Sequence, residues 1–201
     1  FYKSLFHNTN RFHNYAEVVA ITKMKKINSC VINGADRWIQ LGLNPIGDPE
    51  MPIYTKTPSV FDSCEISLHD SEINIDTGTD SCTICVMSTA DNGASYYEVR
   101  NYVDSAIFQN INQEVTVCVT KHNYVPKIIK VGPIINIQNE KIFDSRTYIA
   151  NEINIGAHVT DSKPIGKVVF EGNKTLIRAK SVKMKPGTHM KIGTQLKIMN
   201  N

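Results

Sequence analysis

No run of about 18 apolar residues occurs in the 201-residue chain, so no helix of it is expected to span a bilayer. Glycine (11) and proline (8) are too few for a collagen or a low-complexity chain. Charge of one sign is also scarce: the net charge is +3, with 20% charged and 41% hydrophobic residues, an ordinary globular composition. There is no Gly-rich phosphate loop, no Gly-x-Ser-x-Gly elbow and no His-Gly pair. These absences exclude a simple nucleotide cradle and a serine-hydrolase elbow.

What charge there is lies unevenly. Residues 146–201 hold 10 Lys/Arg against 3 Asp/Glu, whereas residues 1–145 hold 12 against 16. A basic tail of this kind can steer toward an acidic surface such as a polysaccharide or lipid headgroups. Its cations are spread singly and lack an aromatic stacking platform, so nucleic acid is not an expected partner. The simpler reading is a solvated face of small strands.

The cysteines are Cys30, Cys64, Cys82, Cys85 and Cys118. Their odd number leaves at least one outside any internal disulfide scheme. Cys82-Thr-Ile-Cys85 has the spacing of a metal motif, but the segment reads as a strand. Residues three apart on a strand face opposite ways, and no second pair completes a tetrahedral set. The expectation is small buried hydrophobes, with no metal or cofactor.

Residues 1–27 read as helical, with Phe12, Ala16, Val19, Ala20 and Ile27 near one stripe and Lys23, Lys25 and Lys26 in the last turn. Residues 28–56 change character: Asn33-Gly34 signals a turn, and Pro45, Pro49 and Pro52 forbid a helix interior, which suggests an extended connector. Residues 57–132 are β-rich. Ile66 and Leu68, Ile73 and Ile75, and Val115, Val117 and Val119 alternate with polar residues, and Asp76–Asp80 and Asp91-Asn-Gly93 punctuate them. A small antiparallel sandwich is expected there. Residues 133–201 carry very short apolar pieces (Ile153/Ile155, Val168/Phe170, Leu176/Ile177, Val182/Met184, Met190/Ile192, Leu196/Ile198), often followed by glycine. Pieces this short bury a face only by stacking, so a short β-solenoid or rolled sheet is expected, with a second sandwich as the alternative.

Trp38-Ile-Gln-Leu-Gly-Leu-Asn-Pro-Ile-Gly-Asp-Pro-Glu-Met-Pro-Ile-Tyr-Thr55 resembles the stretch that closes the caspase-like catalytic domain of gingipain-type cysteine peptidases, peptidase family C25. That family commonly ends the domain with a hydrophobic strand, a Gly-Asp-Pro turn and an extended exit. The turn here is Gly47, Asp48 and Pro49. The helix around Ala16 to Lys23 is similar to the family's last long helix. The resemblance implies an immunoglobulin-like domain next, where Val115–Pro126 resembles a late strand and turn, and then a small terminal module like those of secreted Bacteroidetes proteins. The fold expectation is therefore mainly β: 1–56 the helical and extended end of an α/β caspase-like domain, 57–132 an immunoglobulin-like sandwich, 133–201 a glycine-punctuated β module. Asp48 could bind calcium, but too few acids lie nearby in sequence, so a backbone-capping turn is expected.

A cysteine peptidase needs a thiolate, a nearby histidine and oxyanion donors. In the family the histidine, typically followed by Gly, precedes the cysteine, and both lie upstream of the Gly-Asp-Pro turn. None of His7, His13, His69, His122, His158 and His189 precedes a glycine. Cys30-Val-Ile-Asn-Gly34 resembles the nucleophile segment with one residue inserted, but it follows the last helix, so packing is its expected role. The resemblance thus implies a chain without catalytic residues, the C-terminal portion of a processed, secreted or outer-surface peptidase. Its partner would be the upstream catalytic half, through which peptide substrate is met. The alternative is an adhesion module for polysaccharide or protein at the cell surface. The start at Phe1 suggests a fragment or processed chain. Asn173-Lys-Thr175 fits an N-glycosylation sequon, and Asp104-Ser-Ala106 resembles a short O-glycosylation signal of secreted Bacteroidetes proteins.

Overall fold

Alternating apolar residues build most of the molecule. The computed structural model describes residues 14–42, 48, 52–88, 96–171 and 174–200, and they are mainly β. The chain divides into two compact units: Phe1–Ser59 with His122–Tyr124, and Val60–Lys121 with Val125–Asn201.

The first unit holds three helices, α1 (Tyr15–Lys25), α2 (Ile27–Ile32) and α3 (Gly34–Gly42). In α1, Glu17 sits in the first turn and Lys23 and Lys25 in the last, as the helix dipole favours. Val18 and Val19 are its buried residues. Between α2 and α3, Asn33 is extended. Its side-chain oxygen accepts the Ala35 N–H at 3.0 Å, which caps the next helix. Arg37 Nε then donates to the Cys30 carbonyl at 3.2 Å and ties α3 to α2.

Two expectations are corrected here. The strand that the resemblance implied before the Gly-Asp-Pro turn is replaced over Trp38–Leu41 by helix α3, which Asn33 caps and in which Trp38 and Ile39 fall three and four residues after Ala35. The connector expected over 28–56 is helical as far as Gly42. Further on, Pro52 forms a bridge with Asn14, and Ser59 with Tyr124.

The segment from Tyr54 to Ser59 is held by a three-residue turn. Asn123 is buried and left-handed, with φ 61°. Its Oδ1 accepts the Thr55 N–H at 2.8 Å and its Nδ2 donates to Thr55 Oγ1 at 2.9 Å. Its carbonyl accepts the Ser59 N–H at 2.9 Å. The Tyr54 hydroxyl donates to the Tyr124 carbonyl at 3.3 Å.

The second unit has thirteen strands among its described residues. These are β1 (Glu65–His69), β2 (Glu72–Asp76), β3 (Cys82–Met87), β4 (Tyr97–Val103), β5 (Ser105–Phe108), β6 (Val115–Thr120), β7 (Lys127–Ile137), β8 (Lys141–Ile142), β9 (Arg146–Ile155), β10 (Val168–Phe170), β11 (Lys174–Met184), β12 (Thr188–Met190) and β13 (Gln195–Met199). They form a sheet β1-β2-β5, a sheet β12-β10-β8, and a seven-stranded sheet β13-β11-β9-β7-β6-β3-β4. Pairing is antiparallel from β4 to β7 and parallel from β7 to β13. Strand β7 serves both halves: Lys127–Val131 pairs with β6 and Lys130–Ile137 with β9. The sequence-based boundary at 132/133 falls inside this strand.

β1 packs on β7 and β9, and Ile66, Leu68, Ile73, Ile75, Ile84, Val86, Phe108, Val117 and Val131 are buried. From β7 onward the chain passes alternately between the large sheet and the β8-β10-β12 sheet. Tyr148, Ala150, Ile153, Ile155, Ile177, Ala179, Val168 and Phe170 share a core between them. The ladders skip Pro133, Asn151 and Lys180, which are stacked in consecutive strands. Inward-facing positions change parity there, from Tyr148 and Ala150 to Ile153 and Ile155, so the three strands bend together. Gly187, at φ 92°, turns the chain where a Cβ would lie 2.4 Å from that of Ala157, so only glycine fits.

Lysine–carboxylate pairs lace the surface of this unit. Lys121 donates to Asp80 at 2.8 Å and Lys183 to Glu152 at 2.8 Å, and Glu171 sits between Lys141 at 2.7 Å and Lys191 at 2.5 Å. Hydrogen bonds from these lysines hold all three carboxyls below their usual range. Folded-state values below unfolded ones give stability that is present above the unfolded carboxylate pKa and lost as pH falls through the folded values. Glu171→Gln should therefore lower the urea midpoint near neutrality and approach the wild type as pH falls through the lowered folded-state value of Glu171. A gap of constant size across that range would show that these pairs do not set the acid limb.

Candidate functional site

The structure scatters most of the sequence-selected residues. Of the Gly47-Asp48-Pro49 turn, Asp48 is exposed, and Gly47 and Pro49 lie outside the described residues, as do His7 and His13. Cys30 lies in α2, where its thiol donates to its own helix at the Lys26 carbonyl, 3.4 Å away. His69 ends β1 and His189 sits in β12. His122 meets Thr55 Oγ1 at 3.0 Å, and His158 meets Asp161 at 3.1 Å. Cys82 and Cys85 point to opposite faces of β3, the first fully buried and the second half-buried. Asn173 lies outside the described residues, and Thr175 of its sequon is buried. Ser105 is exposed, next to an Asp104 whose carbonyl accepts the Thr77 N–H at 2.9 Å.

Helices α2 and α3 carry the more telling arrangement. Their half-buried side chains are Ser29, Cys30, Asp36 and Gln40, whereas Ile27, Val31, Ile32, Trp38, Ile39 and Leu41 are exposed. Trp38 is 75% exposed and Ile32 90%. Buried Gln40 Oε1 lacks a hydrogen-bond partner among the described residues. Polar groups thus face inward and apolar groups outward, the reverse of a helix that packs on a core of its own unit. Large apolar side chains left facing water in this number point to an interaction site. It offers no general acid, base or nucleophile pair; it can act by removing apolar area from water. The sequence held the signal for α3 in the capping Asn33 and in the spacing of Ala35, Trp38 and Ile39, which the strand reading hid.

Replacing Trp38 by Gln should leave the chain's unfolding free energy within about 0.5 kcal/mol, because an exposed side chain loses little on truncation. It should also reduce the fluorescence of a bound apolar dye. A loss of stability well above that bound would place Trp38 in a core instead.

A concavity of about 440 Å³ lies in the second unit across β6, β7 and β9 and is lined by Ile128, Lys130, Asp144, Arg146 and Tyr148. Its cations are already matched: Lys130 pairs with Glu114 at 3.0 Å, and Arg146 with Glu140 and, at 2.8 Å, with Asp144. Burial pushes the Tyr148 hydroxyl up to about 12, with Glu140 adding to the rise and Arg146 opposing it. At neutral pH the phenol is a neutral hydrogen-bonding group, not a base.

No family model, no curated protein and no solved structure matches this chain. Among the described residues there is no group of three or more His, Cys, Asp or Glu placed to hold a metal, and no helix long and apolar enough to cross a membrane.

Proposed function

We propose that the chain is the non-catalytic C-terminal portion of a secreted gingipain-like cysteine endopeptidase, and that it braces the catalytic half. The outward-facing apolar surface of α2 and α3 carries this reading. Such a surface is stable in water only at a cost, and the end of a caspase-like domain would bury it against the rest of that domain. Substrate selection would then belong to the other half.

Two features of the second unit support the module order. A sheet of β1, β2 and β5 beside an order β4-β3-β6-β7 is consistent with an immunoglobulin-like sandwich in which β4 is the extra strand next to the C strand. Alternation between two parallel sheets after β7 fits a short β-solenoid. In this reading the second unit is a rigid terminal brace on the outer cell surface.

Purification from the native source tests the proposal. Peptide sequencing should find residues 14–42 together with a polypeptide, continuous or nicked, that carries a His-Gly and a later cysteine upstream. If instead the chain travels alone, and binds cell-surface polysaccharide in a sedimentation assay, the peptidase reading fails and the adhesion reading replaces it.

A further inference from the structure

Cys85 and Cys118 stand directly opposite each other in the antiparallel ladder of β3 and β6. Both are free and half-buried. They lie on the face of the sheet turned away from the core that holds Ile84, Val86, Val117 and Val119. Directly opposed residues in such a ladder have Cα atoms about 4.5 or 5.5 Å apart, and both values fall within the roughly 4.4–6.8 Å that a disulfide spans. Their Cβ atoms are about 4.5–5.5 Å apart, against about 3.8 Å in an average disulfide, so closure requires only a small local approach of the two strands.

We propose that Cys85 and Cys118 form a redox-active pair that closes into a cross-strand disulfide in an oxidising compartment. The reaction is thiol–disulfide exchange with a low-molecular-weight disulfide. The Cys85 or Cys118 thiolate attacks one sulfur of the oxidant and releases one thiol, giving a mixed disulfide. The facing thiolate then attacks the protein sulfur of that mixed disulfide and releases the second thiol. Two protein thiols become one disulfide, the oxidant gains two electrons, and the two thiol protons end on the two released small thiols.

The other cysteines lack this geometry. Cys64 and Cys82 are both buried, and burial with Cys82 beside it pushes the Cys64 thiol up, but Cys64 precedes β1 and no ladder register sets the two opposite each other; the Cys82 thiol donates to the Thr79 carbonyl at 3.4 Å. Cys30 belongs to the other unit. The flanking ladder positions on the same face are Val99 beside Cys85 and Ile128 beside Cys118, which bring no cation to stabilise a thiolate. Burial pushes both thiols up, and Cys85 pushes Cys118 further. Closure should therefore be slow at neutral pH and faster in alkali.

The test is incubation of the folded chain with oxidised glutathione, followed by acid quench, thiol titration in denaturant and non-reducing peptide mapping. The expected result is a fall from five thiols to three, with the peptides of Cys85 and Cys118 joined and two hydrogens lost. The rate should rise severalfold from about pH 7 to about pH 9. Cys30→Ser should leave the result unchanged, and Cys85→Ser and Cys118→Ser should each abolish it. Mapping on the wild-type chain decides the matter even if a variant folds poorly. Five thiols remaining after prolonged oxidation, or a disulfide mapped to Cys64 with Cys82, would overturn the proposal.

Discussion

Phe170→Ala should destabilise the second unit by about 3–5 kcal/mol, the usual cost of emptying a buried aromatic site. Phe170 is fully buried in the core between the parallel sheets. It sits in register between Ile142 of β8 and Met190 of β12. Its carbonyl accepts the Lys191 N–H at 2.9 Å and the Thr194 hydroxyl at 3.0 Å, so the backbone is pinned and cannot collapse into the void. Against a typical total of about 5–15 kcal/mol this is a large fraction. The melting temperature should fall by about 6–20 °C, at roughly 2–4 °C per kcal/mol for a protein of this size. Phe143→Ala is the control: its side chain is 63% exposed, and truncation should cost no more than about 0.5 kcal/mol. Equal losses for the two variants in thermal unfolding would mean that the core between the parallel sheets is not closed.

Asn123→Ala should release the segment from Tyr54 to Ser59. The substitution puts alanine at φ 61°, which costs about 1–2 kcal/mol for a residue with a Cβ. It also removes the acceptor of the Thr55 N–H and of the Lys56 N–H, 2.8 and 3.3 Å away. Each donor left without a partner in a half-buried place adds about 1 kcal/mol or more. The total, about 3 kcal/mol, should appear locally as at least a hundredfold faster hydrogen exchange at Thr55 and Lys56. Asn123→Gly keeps the left-handed backbone and loses only the side-chain bonds, so its effect should be smaller by the backbone cost. If alanine and glycine behave alike, the conformational part of the argument is wrong. If neither speeds exchange, the side chain is not what holds the segment.

The antiparallel part of the fold was legible because its strands each bury one face. Val115, Val117 and Val119 are buried in strict alternation, and β3 repeats the rule from Cys82 to Val86. The parallel part was legible only as scattered apolar pairs. Successive ladder partners, Lys130 to Tyr148, Tyr148 to Ile177 and Ile177 to Ile198, are separated by 18, 29 and 21 residues, so no fixed period exists to find. The shared bend also changes parity within a strand, which is why Leu176/Ile177 and Val182/Met184 read as two pieces although both lie in β11. The candidate site was legible in composition and not in direction. Trp38, Ile39 and Leu41 stand out as apolar, but only the folded helices show that Asp36 and Gln40 take the inward side. The facing of Cys85 and Cys118 depends on the register of β3 with β6, which no local spacing records.

Strand β7 has a mechanical consequence. Successive modules of one chain ordinarily meet at a short flexible linker, where bending thermal motion concentrates. Here residues 127–137 form one uninterrupted strand, hydrogen-bonded to an antiparallel neighbour at one end and a parallel neighbour along the other. A tug on the last strands would be carried into the antiparallel sheet as shear across two ladders loaded together, with no swivel to absorb it. The second unit should therefore yield to force in a single rupture rather than as two separately unfolding beads.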